Sequence, residues 1–150
     1  MQTPQFGTPD PNRTYVDRPA VFGLVERDGR IALVRVQKPL AVAWLDLPGG
    51  GIDPGESEEE ALSREFGEET GLIVTPGEVF ARADQRYINT DGEAYNNRGA
   101  FWTATLEDEA LMLKIEDDHE LVWVDPQEAL VRLRHDAHAW AVAAWLRARS

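Results

Sequence analysis

Cysteine is absent from these 150 residues, so disulfides, thiolate catalysis and thiolate metal sites are excluded. Basic residues are scarce: 15 Lys and Arg stand against 27 Asp and Glu, a net charge of −12. A chain this acidic repels polyanions, which argues against nonspecific binding to duplex nucleic acid. No apolar run reaches membrane-spanning length and no charged-then-apolar leader opens the chain. Neither a membrane partner nor a signal peptide is expected, and the cytoplasm is the default location. Internal repeats and low-complexity linkers are also missing. What is present, 43% hydrophobic and 28% charged residues, suits a globular protein large enough to bury a core. The expectation is one domain over residues 1–150, with 1–17 as an N-terminal arm.

Glycine, by contrast, is concentrated. Leu47-Pro48-Gly49-Gly50-Gly51-Ile52-Asp53-Pro54-Gly55 holds four glycines within seven positions, enough to turn the backbone sharply and bring it close to a ligand. Ser57 followed by Glu60 is a capping box, which predicts a helix starting at Glu58. Gly71 supplies the left-handed position that ends it, and Leu72 can pack back on the last turn. Along this helix Glu65, Glu68 and Glu69 stand at i, i+3 and i+4 and share one face. Adjacent like charges destabilise a bare helix by roughly 0.2–0.5 kcal/mol per pair, and a hard divalent cation removes that repulsion. Arg64 lies one turn from both Glu60 and Glu68, where its guanidinium fork can fix the angle of a carboxylate.

Gly50, Glu56, Arg64, Glu65, Phe66, Glu68, Glu69, Gly71 and Leu72 fill every fixed position of a 23-residue pattern. The segment resembles the signature of the Nudix hydrolases, and the likeness extends over about residues 18–147. It implies an α/β fold, an α/β/α sandwich with a mixed central sheet, whereas periodicity alone supports only α/β or α+β. It implies Mg²⁺ or Mn²⁺ as cofactor and hydrolysis of a pyrophosphate linkage in a nucleoside diphosphate joined to another group. It implies a backbone carbonyl ligand at Gly49 or Gly50, Glu68 and Glu69 as metal ligands, and Glu65 as ligand or water-activating base beside Arg64. The family often recruits a further carboxylate downstream. Among Glu116, Asp117, Asp118 and Glu120, Glu120 is the preferred candidate and Asp117 the reserve. Substrate phosphates are then met by metal rather than by a basic surface.

Elsewhere, Ala20–Val25 and Ile31–Val36 read as strands joined at Asp28-Gly29. Val79–Tyr87 and Arg98–Leu106 read as a pair with a ten-residue polar connection, Ile88–Asn97, and Glu120–Val124 as a short strand. Asp125-Pro126-Gln127-Glu128 caps a further helix, and His135–Ser150 is a last helix with Asp136 as its cap. Met1–Asn12 reads as a mobile or surface-wrapped arm. Trp44 and Tyr87 are candidate substrate residues, Trp44 by stacking on a base. Arg35, Lys38, Arg82, Arg86 and Arg98 are candidates to reach phosphates, Arg35 and Arg98 foremost. Tyr15 and Arg18 can close over the pocket if the arm folds back. His119, His135 and His138 read as surface or packing residues, and Trp102, Trp123, Trp140 and Trp145 as core. ADP-ribose hydrolases of the family carry a proline where this chain has Tyr87 and Ile88; a tyrosine there resembles the diadenosine polyphosphate hydrolases. The substrate classes left are nucleoside triphosphates, dinucleoside polyphosphates and nucleotide sugars, and a homodimer is compatible with the family. The alternative is a non-catalytic nucleotide-binding or regulatory module, which would ordinarily have lost glutamates that are all retained here.

Overall fold

A computed structural model describes residues 2–149 of the chain. Two sheets carry it. In the first, β2 (Val16–Leu24) lies parallel to β8 (Ala94–Glu109) and antiparallel to β6 (Gly49–Gly51). β8 in turn pairs antiparallel with β7 (Leu72–Ile88), and β1 (Gln5–Phe6) closes the edge parallel to β7. In the second, β4 (Arg30–Val36) pairs antiparallel with β3 (Glu26–Arg27), β5 (Trp44–Asp46) and β9 (His119–Val124). Asp28 and Gly29, at φ 53° and 78°, make the turn from β3 to β4 as their dipeptide predicts.

Strand alternation sorts the core into two layers. Ala20, Phe22, Leu24, Ile31 and Leu33 turn to one face and pack with Ala129 of α2 (Pro126–Arg132) and Ala137, Ala141 and Val142 of α3 (Asp136–Arg149). Val21, Val25 and Ala32 turn to the other, against Ala61, Leu62 and Phe66 of α1 (Glu58–Thr70). The result is the expected α/β/α sandwich with mixed strand directions. No helix of the described residues is long and apolar enough to cross a membrane.

Several element boundaries differ from the sequence expectation. β7 runs through Pro76 and Gly77 and stays paired with β8, because register shifts around residues 73–81 absorb these breakers as bulges. Their connection shrinks to a tight turn in which the Asn89 N–H donates to the Glu93 carbonyl and the Gly92 N–H to Asn89. The arm is wrapped rather than mobile at Gln5 and Phe6, which pair with Asp84 and Gln85. β2 already begins inside the expected arm. Asp136 opens α3 as its first residue instead of capping it. The predicted ends at Met1 and Ser150 lie outside the described residues.

Candidate active site

α1 starts and stops where its sequence signals fall. Ser57 Oγ accepts from the Glu60 N–H, the Glu60 carboxylate accepts from the Ser57 N–H, and Gly71 at φ 75° ends the helix. Phe66 and Leu62 seat the helix on β2 at Gly23, where even a methyl group would come within 2.5 Å of the Phe66 ring. That docking brings Glu65 and Glu69 against β6.

β6 presents its polar groups on two sides. The ladder to β2 is bracketed by Gly23 N–H to Pro48 and Ile52 N–H to Pro19, so Gly49 and Gly51 turn their groups the other way. The Gly49 N–H donates to Glu69 Oε1 at 2.9 Å, and the Gly51 carbonyl accepts from Arg64 Nη2 at 3.1 Å. Only glycine fits the first position: φ is 147°, and an added methyl would lie 2.1 Å from the Val21 carbonyl oxygen.

Arg64 gathers the remaining carboxylates. It donates to both oxygens of Glu56 at 2.7 and 2.9 Å, to Glu65 Oε1 at 3.0 Å and to Glu68 Oε2 at 3.3 Å. Glu60, an expected neighbour, is occupied in the cap instead. The guanidinium holds Glu56 down to about 2. It cannot do the same for Glu69, which is 7% exposed. Burial pushes the Glu69 carboxyl well above the usual range; nearby Glu65, Asp46 and Glu116 add to this and the Gly49 amide opposes it. Glu65 is also raised by burial, partly offset by Arg64. The site therefore concentrates more negative charge than its one central arginine balances.

The segment before β9 closes the open side. The Ile115 and Glu116 N–H groups both donate to the Glu68 carbonyl. Glu116, Asp118 and His119 lie close enough together to offer a cation a shared set of ligand atoms. His119, read from sequence as a surface or packing residue, sits 3.3 Å from Glu69. Glu120, the preferred downstream carboxylate, points elsewhere: it is exposed and lies opposite Arg35 of β4. The reason is the two-residue period of β9. Leu121 and Trp123 pack toward α1 while Val122 and Val124 pack toward α2 and α3, so His119 faces the site and Glu120, with Arg35, does not.

Beyond Gly49 and Gly50 the site opens into a cleft of about 170 Å³ lined by Arg18, Trp44, Asp46, Tyr87, Asn97 and Arg134 among others. Trp44 and Tyr87 are brought here as expected. Trp44 Nε1 donates to Asp46 at 3.1 Å, and Arg134 grips both Asp46 oxygens at 2.9 and 3.3 Å while lying 4.1 Å above the Trp44 ring. Burial raises the Asp46 carboxyl, against the pull of Arg134. Arg18 donates to Asn97 at 3.2 Å. Asp46 and Arg134 had no local signal, and Arg18 was expected only if the arm folded back. Arg98 is not in the cleft: it is paired with Asp84 at 2.8 Å and Asp17 at 3.1 Å. His135 and His138 are packing residues. Burial takes His135 down to about 3, and His138, its ring tilted against Phe22 at 4.4 Å, accepts the Leu47 N–H at Nδ1.

The sandwich, with a capped acidic helix set against a glycine strand at the floor of a cleft, is shared with proteins of known class. A family model described as NUDIX domain matches residues 15–146. The chain is similar to CTP pyrophosphohydrolase of Escherichia coli K12, 35% identical over 112 residues that make up 73% of this chain and 77% of that protein. It is 41% identical over 65 residues to RNA pyrophosphohydrolase of Sphingopyxis alaskensis, covering 43% of this chain and 40% of that one. Its fold matches a NUDIX hydrolase from Nitrosomonas europaea with a TM-score of 0.73 at 20% identity, over 88% of this chain and 90% of that one. The chain belongs to the Nudix family and is a Nudix hydrolase, of a family that generally uses divalent metals.

Proposed function

We propose that the protein hydrolyses a pyrophosphate linkage in a nucleoside diphosphate joined to another group, with Mg²⁺ or Mn²⁺ as cofactor. The substrate is a nucleoside triphosphate, a dinucleoside polyphosphate or a nucleotide sugar. The observation that carries this reading is Glu69, a buried carboxylate with Glu65 and Glu116 nearby, contacted by the Gly49 amide and His119. Oxygen-only donors in this density suit a hard divalent ion. Glu65, Glu68 and Glu69 would hold it, with the Gly49 carbonyl on the strand edge that faces away from β2. When bound, such an ion neutralises phosphate charge, orients the phosphorus and lowers the pKa of the attacking water.

The chain's own groups do the rest. The Gly49 amide orients Glu69, and Arg64 orients Glu65, Glu68 and the loop through Glu56. Glu65, raised in pKa by burial and tied to Arg64 through Oε1, is the carboxylate we assign to accept a proton from water at Oε2. Arg18 and Arg134 provide positive charge within an otherwise acidic molecule and face the phosphate-bearing part of the ligand. Trp44 and Tyr87 offer aromatic surface to its nucleoside. Arg35, Arg98 and Glu120 have no part in this assignment.

The test is a panel of nucleotides offered to the purified protein with Mg²⁺, with Mn²⁺ and with excess chelator, the products identified by mass. Turnover of one substrate class that disappears in chelator is expected. Undiminished turnover in chelator, or none on any nucleotide, would overturn the reading.

A further inference from the structure

His119 faces a carboxylate at each ring nitrogen. Nδ1 lies 2.7 Å from Asp118 Oδ1, and Nε2 lies 3.3 Å from Glu69 Oε2. Behind it, the other Asp118 oxygen accepts from Lys38 Nζ. The result is a side-chain line, Lys38–Asp118–His119–Glu69, running from the end of β4 to the last turn of α1. Backbone bonds fix both ends of the loop that carries it. Gln37 N–H donates to the Asp118 carbonyl at 2.9 Å, and His119 N–H donates to the Glu116 carbonyl at 3.2 Å. The His119 side chain is only 14% exposed, so solvent does not easily replace these partners.

The far end of the line meets Glu69 where it matters. Glu69 Oε1 accepts from the Gly49 amide, and Oε2 faces His119 Nε2 at ion-pair distance. One contact on each oxygen sets the plane of a carboxylate that otherwise turns about three side-chain torsions. Groups that contact a ligand from behind in this way orient it and hold its rotamer, and their loss commonly costs about 10–100-fold in metal affinity or activity.

We propose that His119, backed by Asp118 and Lys38, is a positioning residue for the reaction, holding the Glu69 carboxylate in the orientation in which it takes a divalent cation. This rests on the assignment of Glu69 as a ligand. It extends the machinery of the site from the box helix to a residue of β9 and to Lys38 beyond β4.

The test is titration of the metal-free protein with Mn²⁺ alone, followed by calorimetry, in His119→Ala, His119→Gln and Asp118→Asn, alongside kcat and KM at saturating metal. His119→Ala is expected to weaken Mn²⁺ binding about tenfold or more and to lower kcat, with nucleotide KM within about twofold. His119→Gln keeps an N–H donor at similar reach and is expected to recover most of the affinity. Asp118→Asn, which loosens the histidine, should fall between the two. A folded His119→Ala protein with wild-type Mn²⁺ affinity would overturn the proposal. If His119→Ala does not fold, wild-type affinity in Asp118→Asn would overturn it. Glu69→Gln separates this from the underlying assignment: unaltered Mn²⁺ binding there would defeat Glu69 as a ligand, whatever His119 does.

Discussion

At one end of the cleft, Glu65, Glu68 and Glu69 come from a single stretch of α1 with Arg64 beside them. At the other, Arg18 comes from β2, Trp44 and Asp46 from β5, Tyr87 from β7 and Arg134 from the connection between α2 and α3. The two ends also differ in charge balance. Asp46 is gripped through both oxygens by Arg134, whereas Glu69 has one backbone amide and one histidine. The acidic end lacks compensation, as suits a cation, whereas at the other end Asp46 is balanced by Arg134, which also covers one face of Trp44. Chemistry and recognition are thus assigned to different parts of the chain, one local and one assembled.

The comparison breaks most visibly at Glu69. Glu69→Gln keeps the shape and removes a charge, and is expected to lower kcat on the order of 10²-fold or more. The metal-free Tm should hold or rise, because a buried carboxylate surrounded by like charge is lost. A variant with normal turnover and a lower Tm would make Glu69 a structural residue and erase the distinction.

Trp44→Ala probes the recognition end. Loss of a stacking surface is expected to raise KM about tenfold while kcat stays within about twofold. Steady-state kinetics on the substrate found in the panel decides it, and a fall confined to kcat would move Trp44 into the chemical step.

A third, smaller effect lies in the pH dependence of the metal-free fold. The folded chain keeps His135 neutral down to about 3, against an ordinary value of 6.5, and His138 shifts the same way. The unfolded chain binds these protons first, so their contribution is complete above 6.5 and is lost as pH falls toward 3. Glu69 and Asp46 act with the opposite sign. Their raised values mean the fold retains protons that the unfolded chain has released, so stability declines as pH climbs above the ordinary carboxylate range. In His135→Phe the acid-side slope of Tm against pH should flatten relative to wild type. An unchanged slope would show that His135 is not buried neutral.

The smallest effects are expected at Glu120→Gln and Arg98→Ala, each within about twofold of wild-type kcat and KM, as for exposed charges elsewhere. A large loss at Glu120 would mean that β9 presents its other face to the substrate and would undo the placement of His119.

The local structure around the site is legible in the sequence where the interactions span a few residues. Ser57, Glu60 and Gly71 mark the bounds of α1, and the spacing of Glu65, Glu68 and Glu69 puts them on one face. Trp44 and Tyr87 also reached the cleft. Glu120 turns away from the cleft because the two-residue period of β9 puts it on the face opposite His119, and acid density in Glu116–Glu120 does not say which face meets α1. The strands around Pro76 and Gly77 were read short because bulges let a sheet continue through breakers.

The amino-acid order by itself therefore determined the box helix, its caps, its shared carboxylate face and the hairpin at Asp28-Gly29, since caps, helical faces and tight turns depend on neighbours within about one turn. Only the tertiary structure decided which of those carboxylates is desolvated. Glu69 is buried because Phe66 and Leu62 dock α1 on β2 and bring it to Gly49, and the same packing leaves Glu56 with Arg64. Tertiary structure likewise joined Arg134 to Asp46 across 88 positions and turned His119 toward Glu69. Burial and long-range pairing are properties of surfaces that meet on folding, and no local pattern encodes which surfaces those are.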